Sequence, residues 1–133
     1  MKLTTKSEYS ILALLYLARQ PVDHFVKVDE IVAACDIPKK YLELLLMTLR
    51  QHRLIKTRRG KQGGYQLAIP ASQISLASVI RLMDGALAPT ESVSTYFYSD
   101  TPISKELRLV AVFREIRDYI SDRLEKLTLK DLI

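Results

Sequence analysis

Apolar side chains recur every three or four residues along much of the chain, and this period is typical of amphipathic helices. The first such segment begins at Thr5 and ends near Gln20. Thr5 and Glu8 have the spacing of a capping box, in which each side chain satisfies a free backbone N–H. A shorter segment covers Val28 to Ala34, and we expect it to form a second helix with Ile31 facing inward.

A third helix is predicted after a tight connection. It runs from Pro38, which suits the first helical position, to about Gln51. Its apolar stripe consists of four leucines at helical spacing: Leu42, Leu45, Leu46 and Leu49. A short helix, a tight turn and a longer helix form a helix-turn-helix, and the N-terminal residues of the second helix of such a unit enter the major groove of DNA.

Two short strand-like runs, Leu54 to Thr57 and Tyr65 to Ile69, flank a glycine-rich turn at Gly60 to Gly64. The surrounding stretch, residues 50–68, contains no acidic residue. It carries six basic side chains: Arg50, Arg53, Lys56, Arg58, Arg59 and Lys61. A helix that ends in a basic β-hairpin is the layout of a winged helix-turn-helix, whose wing tip reaches a phosphate backbone and a minor groove. The stretch therefore predicts double-stranded DNA as a partner.

The C-terminal half is predicted to contain a fourth helix at Ser75 to Met83 and then a long helix. Thr101 and Pro102 have the residue types of a helix cap and a first helical position. A helix from there to about Leu127 is roughly 38 Å long. Its apolar residues are Leu109, Phe113, Ile116, Ile120, Leu124 and Leu127. Because a domain this small cannot cover such a helix, we expect the stripe to pack on the same helix of a second subunit. The alternative is a stripe that only covers the N-terminal domain.

Together these segments predict a mainly α fold with a small β-hairpin wing, namely a winged helix-turn-helix plus a long C-terminal dimerisation helix. Residues 1–84 are the predicted DNA-binding domain and residues 85–101 an effector or connection loop. Residues 102–133 are the predicted dimerisation helix and C-terminal cap. In that cap, Thr128 and Asp131 again have the capping pattern.

Charge is divided unevenly between the two halves. Residues 1–70 hold 12 Lys and Arg against 6 Asp and Glu, whereas residues 71–133 hold 8 against 9. The basic excess therefore lies in the predicted DNA-binding part, although a solvated basic surface would give the same balance. No apolar run approaches the roughly 18 residues of a transmembrane helix, and no signal peptide is visible. We expect a cytoplasmic protein with no membrane partner.

Residues that carry metal or catalytic chemistry are few. Cys35 is the only cysteine, so neither an intrachain disulfide nor a zinc site of several thiolates can form. We interpret it as a small buried hydrophobe, with a cluster or disulfide shared between subunits as the alternative. His24 and His52 are single surface residues with no partner at metal-ligand spacing. No nucleophile, base and orienting group stand together, so we expect neither a metal site nor an enzyme.

Several pieces of the chain together resemble a known family. They are Met1 to Thr4 with Tyr9; Ile37 to Leu45; Leu54 and Ile55; Arg59 and Gly60 followed by Gly63 to Leu67; Val79 and Ile80 with Asp84; and Leu127 to Leu132. The combination is similar to the bacterial winged-helix regulators typified by IscR, NsrR and CymR, the Rrf-two family. The resemblance covers nearly the whole chain, and its most specific part is the glycine wing joined to Tyr41-Leu42-Glu43 in the preceding helix.

The resemblance implies a sequence-specific transcriptional regulator, expected to be a repressor, that binds a palindromic promoter site as a homodimer. Carried over by position, the residues that would face DNA at the start of the recognition helix are Lys39, Lys40, Tyr41 and Glu43, and Glu43 would read bases. Arg59 would enter the minor groove. Phosphate contacts are expected from Lys6, Arg50, Arg53, Arg58 and Lys61. Gly60, Gly63 and Gly64 would shape the turn and touch DNA through backbone groups. The alternatives are an ordinary surface role for Glu43 and for Arg59; Tyr65 is either a core or a hairpin residue.

The chain departs from many relatives at the loop before the long helix, where those relatives hold an iron–sulfur cluster through three cysteines and sometimes a nearby histidine. An ungapped match places Ser92, Tyr98, Ser104 and Leu107 at the ligand positions, and none of them carries a thiol or an imidazole. We therefore expect no cofactor. Glu8 lies where some relatives supply a carboxylate ligand, but the capping box also explains it.

The same loop offers three consecutive aromatic residues, Tyr96, Phe97 and Tyr98. They either pack against the dimer helix or form a surface for a small-molecule or protein effector. Two further function classes stay open: a protein-interaction module with the same fold, and a cluster-bound redox or iron sensor that uses non-standard ligands such as Cys35 or Glu8.

Overall fold

Five α-helices and one antiparallel hairpin make up the chain in this computed structural model, which describes residues 1–133. The elements are α1 (Thr5–Ala18), α2 (Val28–Cys35), α3 (Lys39–Gln51), β1 (Ile55–Arg58), β2 (Gly64–Leu67), α4 (Leu76–Asp84) and α5 (Leu107–Lys126). Short 3-10 turns occur at Ala71–Gln73, Glu91–Val93 and Leu129–Leu132. The predicted fold class is confirmed. None of these helices is long and apolar enough to cross a membrane.

The first helix begins with a cap that the sequence did not predict. Thr5 is the first helical residue rather than the cap, and no side-chain capping bond forms between Thr5 and Glu8. Instead, the Asp84 carboxylate at the end of α4 accepts hydrogen bonds from the Thr4 N–H at 2.9 Å, from the Thr4 hydroxyl and from the Ser7 hydroxyl at 2.8 Å. Burial alone would raise the pKa of Asp84, but these hydrogen bonds outweigh it and lower the pKa below its ordinary value. A carboxylate from α4 therefore caps α1.

The main core lies where α1, α2, α3 and α4 meet. Its most deeply buried side chains include Leu14, Ile31, Ile37, Leu42, Leu46, Leu49, Ile55, Ile74 and Leu129. Leu129 comes from the last segment of the chain, which returns to the core through hydrogen bonds between Leu129 N and Ile74 O (3.0 Å) and between Leu76 N and Leu127 O (2.8 Å). The predicted capping box is confirmed, since the Thr128 N–H donates to Asp131 at 2.9 Å. The division into three regions at residues 84 and 101 stays a prediction.

The hairpin pairs Ile55 with Leu67 and Arg58 with Gly64, and its strands lie one to two residues from their predicted ends. Val26 adds a single bridge to β2, because its N–H and C=O both bond to the backbone of Tyr65, at 2.8 and 2.7 Å. Tyr65 is half-buried against the main core, so it is both a hairpin and a core residue. The bridge fixes the hairpin against the loop that precedes α2.

Two helix starts differ from the prediction. α3 begins at Lys39, with Pro38 just outside it. α5 begins at Leu107 rather than at Pro102, because the Thr101 N–H donates to the Ser104 hydroxyl (2.8 Å) and Ser104 N donates to Thr101 O (3.0 Å), which closes a local turn. The long helix consequently has 20 residues and is about 30 Å long.

Candidate nucleic-acid interface

The helix-turn-helix is formed by α2, a three-residue turn and α3. Asp36 ends α2 in the left-handed conformation, with φ 54° and ψ 49°, which Asp tolerates better than most residues. Ile37 is buried in the main core and anchors the turn. The four predicted leucines of α3 are all buried, so the opposite face of this helix points to solvent.

The predicted DNA-facing residues at the start of α3 have different surroundings. Lys40 and Glu43 are exposed and form no salt bridge within the chain. Lys39 is paired with Asp29 of α2 at 3.0 Å, and the hydrogen bond and the charge of Asp29 raise its pKa. Tyr41 is half-buried, and its ring packs edge-on against Tyr9 with centroids 5.7 Å apart. Lys40 and Glu43 are therefore the free polar groups at this end.

A Schellman turn ends α3 and directs the chain into the wing. Arg53 adopts the left-handed conformation (φ 61°), Arg53 N donates to Arg50 O at 3.0 Å, and Leu54 N donates to Leu49 O at 3.0 Å. Arginine at this position is unusual, because glycine adopts the conformation at lower cost. The turn leaves Arg50 and Arg53 exposed between the recognition helix and the hairpin, and neither has a carboxylate partner.

The wing tip is shaped by glycines and carries one free arginine. A Cβ on Gly63 would lie 2.0 Å from Arg58 O, so a side chain does not fit there; Gly60 has φ 101°, a conformation that is strained for any other residue. Gly63 N donates to Gly60 O at 3.0 Å and closes the turn. Arg59 is exposed and makes neither a salt bridge nor a side-chain hydrogen bond within the chain. Its guanidinium is therefore available to a ligand.

Arg58, in contrast, is used to hold the wing. Its guanidinium lies 4.2 Å from the centroid of the Phe25 ring and donates to Gln62 O at 2.8 Å. Lys27 Nζ donates to Gly60 O at 2.8 Å from the other side. These contacts join the wing to the loop before α2, and cation–π contacts of this kind contribute about 0.5–1 kcal/mol at exposed sites. The sequence predicted Arg58 as a phosphate contact and missed Phe25 and Lys27, which lie 33 residues from their partners.

The two histidines lie near this surface. His24 is an exposed residue whose Nε2 lies 3.5 Å from a carboxylate oxygen of Glu30, a contact that the sequence did not predict. Glu30 also accepts a hydrogen bond from the Tyr16 hydroxyl, and this hydrogen bond raises the pKa of Tyr16 to about 12. His52 is exposed, with its Nδ1 3.0 Å from Thr48 O. The carboxylate of Glu30 thus joins α1, α2 and the loop before α2.

The remaining predicted DNA residues include Lys6 and Lys61, which are exposed, and Gly64. A Cβ on Gly64 would lie 2.4 Å from Val26 O, and its φ is 148°. Gly64 is therefore required where the hairpin backbone approaches Val26. Lys6, Lys40, Arg50, Arg53, Arg59 and Lys61 are all exposed basic residues without a salt bridge.

The apolar residues of α5 are divided between two faces. Phe113, Ile120 and Leu124 pack against clusters of their own subunit. Leu109 and Ile116 are exposed, and Val112 and Tyr119 lie beside them at spacings of three and four residues. The residues predicted to form one stripe therefore lie on two faces of α5: one packs within the subunit, and the other is exposed. We name the exposed face, Leu109, Val112, Ile116 and Tyr119, the outer stripe of α5; its role in dimerisation stays a prediction.

This geometry agrees with known proteins. The family model named Rrf2, described as "Iron-dependent Transcriptional regulator", matches residues 3–133. The chain belongs to the Rrf2 family. It is a DNA-binding transcriptional regulator, and both the predicted family and the predicted function class are confirmed.

Similar Rrf2-type proteins cover almost the whole chain. CymR of Bacillus subtilis is 30% identical over 132 residues, which are 99% of this chain and 89% of CymR. NsrR of Halalkalibacterium halodurans is 30% identical over 133 residues, 100% of this chain and 90% of NsrR. Among solved structures, CymR, the global cysteine regulator of B. subtilis, has a TM-score of 0.78 at 28% identity and covers 99% of this chain and 95% of its own. T. potens IscR has a TM-score of 0.76 at 28% identity, and the match covers 99% of this chain and 85% of the IscR chain.

The iron dependence in the Rrf2 description can be tested against the side chains of the loop. Ser92 Oγ accepts a hydrogen bond from Thr101 Oγ1 at 3.0 Å and lies 3.3 Å from Thr90 Oγ1. Ser104 Oγ accepts the Thr101 N–H at 2.8 Å. Each of these hydroxyls has a partner, either another hydroxyl or a backbone N–H, and hydroxyls are not the thiolate ligands that clusters require. No three His, Cys, Asp or Glu side chains converge anywhere in the chain. The residues present do not fit an iron–sulfur cluster.

The other candidate ligands are also unsuited to a cluster. Tyr98 donates its hydroxyl to Asp100 at 2.7 Å, and Leu107 is the first residue of α5. Cys35 is partly buried against the main core, and desolvation raises the pKa of its thiol, which disfavours the thiolate. Glu8 is exposed, and the capping box that was to explain it does not form. Cys35 and Glu8 lie on different helices, with no third ligand.

The three loop aromatics are exposed in the single subunit. Tyr96 is 71% exposed and lies under the Arg81 guanidinium, 4.8 Å from its carbon to the ring centroid. Arg81 in turn pairs with Glu125 of α5. Phe97 and Tyr98 are also exposed. Tyr96 and Phe97 line a small pocket beside Arg117 and Ser121 of α5, and none of the three aromatic residues belongs to an apolar cluster. Packing at the dimer helix and binding of an effector are both consistent with this arrangement.

Proposed function

We propose that the chain is a repressor that binds a palindromic promoter site as a homodimer in the cytoplasm, without an iron–sulfur cluster and without catalytic activity. The single observation that carries the proposal is the set of unpaired cations along the recognition helix and wing. Free cations that follow one surface match the regular phosphates of a duplex. The glycine turn holds Arg59 at the tip, where a narrow minor groove attracts guanidinium groups.

The homodimer is supported by the outer stripe of α5. Leu109, Val112, Ile116 and Tyr119 follow a spacing of three, four and three residues, which is the repeat of a two-stranded coiled coil. Exposed apolar side chains in such a row are costly in water and favour association. A two-fold dimer presents two recognition helices to half-sites about one helical turn apart, and such half-sites form a palindrome.

The absence of a cluster is supported by the hydroxyl bonds of Ser92, Thr101 and Ser104. The visible absorption spectrum of protein purified without oxygen tests this part. We expect no charge-transfer bands and no bound iron. Brown protein with iron in proportion to subunits would contradict it, and Cys35→Ala and Glu8→Ala would then show which residues hold the metal.

Selection of bound sequences from a pool of random duplexes tests the DNA part. We expect one palindrome to be enriched and bound about a thousandfold or more tightly than a shuffled duplex, with an affinity that falls steeply as salt rises. Equal affinity for both duplexes would reject the proposal. Transcription in vitro from a template that carries the selected site then tests repression, and increased transcription would show an activator.

A second candidate function is a protein-docking module, favoured by the exposed aromatic residues at 96–98. It predicts that the chain shows no preference among duplexes and that replacing Tyr96 and Phe97 by Ser abolishes a protein contact. The duplex selection separates the two candidates, because only the regulator enriches a sequence.

A further inference from the structure

The recognition helix exposes two large apolar side chains on the face that points away from the core. Leu44 is 60% exposed and Met47 is 55% exposed. At 100° per residue, they lie opposite the buried leucines of α3, on the same side as Lys40 and Gln51. No cluster of apolar side chains in the chain includes either residue. The fold therefore does not account for them.

Their position on the helix determines what they can meet. They lie in the first nine residues of α3, between Lys40 and Arg50, on the surface that a helix-turn-helix inserts into the major groove. The basic side chains around them can contact phosphates, and phosphate contacts position a protein without reading sequence. Leu44 and Met47 have no hydrogen-bonding group that binds a base edge well, so they can contribute only through apolar contact.

The major groove offers one apolar group, the 5-methyl of thymine; the other groups at the base edges are hydrogen-bond donors and acceptors. A leucine or methionine beside a cytosine amino group or a guanine oxygen removes water from that group without replacing its hydrogen bond, which is unfavourable. Beside a thymine methyl, the same side chain buries apolar surface on both partners. The chemistry of the exposed face therefore selects thymine.

We propose that Leu44 and Met47 are specificity-determining residues that contact the 5-methyl groups of thymines in each half-site. The inference rests on the proposed function, because it requires a preferred duplex. It adds a base type to that function: the half-site carries thymine where these two side chains enter the groove, and Glu43, one position earlier, meets a neighbouring base.

The test removes the methyl groups and nothing else. The thymines of the selected duplex are replaced one at a time by deoxyuridine, and dissociation constants are measured by fluorescence anisotropy at fixed salt. We expect at least one replacement in each half-site to weaken wild-type binding about fourfold, the equivalent of one buried methyl group. Leu44→Ala or Met47→Ala should weaken binding to the thymine duplex and lose the sensitivity to that deoxyuridine.

Both variants are expected to fold, because each residue is exposed and alanine is a better helix former. Val22→Ala is the matched control: Val22 is 86% exposed and lies in the loop after α1. It should keep the full response to deoxyuridine. Sedimentation equilibrium of Leu44→Ala shows whether the pair instead joins two protein copies.

The outcomes are distinct. Tight binding to the selected duplex with no effect of any deoxyuridine overturns this inference and leaves the proposed function intact. This inference is also overturned if the alanine variants keep the full deoxyuridine effect, or if Leu44→Ala changes self-association only. If no duplex is preferred at all, the proposed function fails and this inference fails with it.

Discussion

The polar groups of the wing and those of the loop at residues 85–106 have opposite surroundings. In the wing, backbone groups and Arg58 hold the turn, and Arg59 and Lys61 are left without partners. In the loop, the hydroxyls of Ser92, Thr101 and Ser104 bond to one another and to the backbone. An unpaired charge on a rigid support is available to a ligand, whereas a satisfied hydroxyl is not.

The difference bears on two features that the family description suggests, a duplex and iron. The Rrf2 model is described as an iron-dependent transcriptional regulator, and the proposed function keeps the duplex and omits an iron–sulfur cluster. The free cations fit the duplex. The loop residues do not fit a cluster, because their neutral oxygens already have partners and no thiolates stand beside them. Changes to the free charges of the wing should therefore alter DNA binding, whereas changes to the contacts that hold the wing or the loop should alter stability.

The largest effect is expected from Gly64→Ala. The added Cβ would lie 2.4 Å from Val26 O, at a φ of 148° that alanine rarely adopts, and strain of this kind costs up to about 3 kcal/mol. Urea denaturation should show a loss near that size. Gly85→Ala is the control, since Gly85 has φ 91° but open space around its Cβ, and its loss should be smaller. Equal losses would show that the approach to Val26 does not matter.

Arg59→Ala tests the free charge at the wing tip. Specific affinity should fall by about 1–3 kcal/mol, because a groove contact is lost, while the urea midpoint stays unchanged. Lys130→Ala removes an exposed charge from the last segment and serves as control, with unchanged affinity. An Arg59→Ala variant that binds the selected duplex as well as the wild type at the same salt would remove the wing from the interface.

Asp84→Asn tests the carboxylate that joins the start of the loop to α1. Loss of the charged acceptor for Thr4 and Ser7 should destabilise the fold by about 1.5 kcal/mol at neutral pH. Because the pKa of Asp84 is lowered in the folded state, its contribution is present above the ordinary value of 3.8 and is lost as pH falls through the folded value. The stability difference between wild type and variant should therefore be constant above about pH 5 and shrink below about pH 4. A constant difference down to pH 2 would contradict the lowered pKa.

Thr101→Val is expected to give the smallest effect, and it tests whether the loop affects stability but not DNA binding. It removes the hydroxyl that donates to Ser92 but keeps the shape, so about 1 kcal/mol of stability should be lost. Affinity for the selected duplex should not change. If this variant loses DNA affinity but no stability, the loop is coupled to the interface and the proposed separation of roles is wrong.

The sequence predicted most of the fold because its signals are local. Leucines at helical spacing gave α3, and glycines between basic strands gave the wing. The sequence did not predict contacts between distant residues. Asp84 caps α1 from 80 residues away, and the Phe25 ring, in the loop before α2, lies under the Arg58 guanidinium of the hairpin. In α5, apolar residues occupy more than one face, so spacing alone did not separate Phe113 and Ile120 from the outer stripe. Val112 and Tyr119 were missed for the same reason.

The site was predicted less completely than the fold. Charge and glycine placement indicated the wing, but burial decided which residues are free: Lys39 is paired with Asp29 and Tyr41 packs on Tyr9. Leu44 and Met47 lie opposite the leucine stripe that the sequence predicted for α3, so the helical period could have indicated their exposure before the structure was known.

The affinity of the iron-free protein for its selected duplex tests the central claim most directly. Protein purified without oxygen is divided into portions with and without treatment by an iron chelator, and both are titrated with the selected and the shuffled duplex at one salt concentration. We predict the same preference for the selected duplex in both portions. Specific binding that disappears with the chelator and returns with iron would contradict the account.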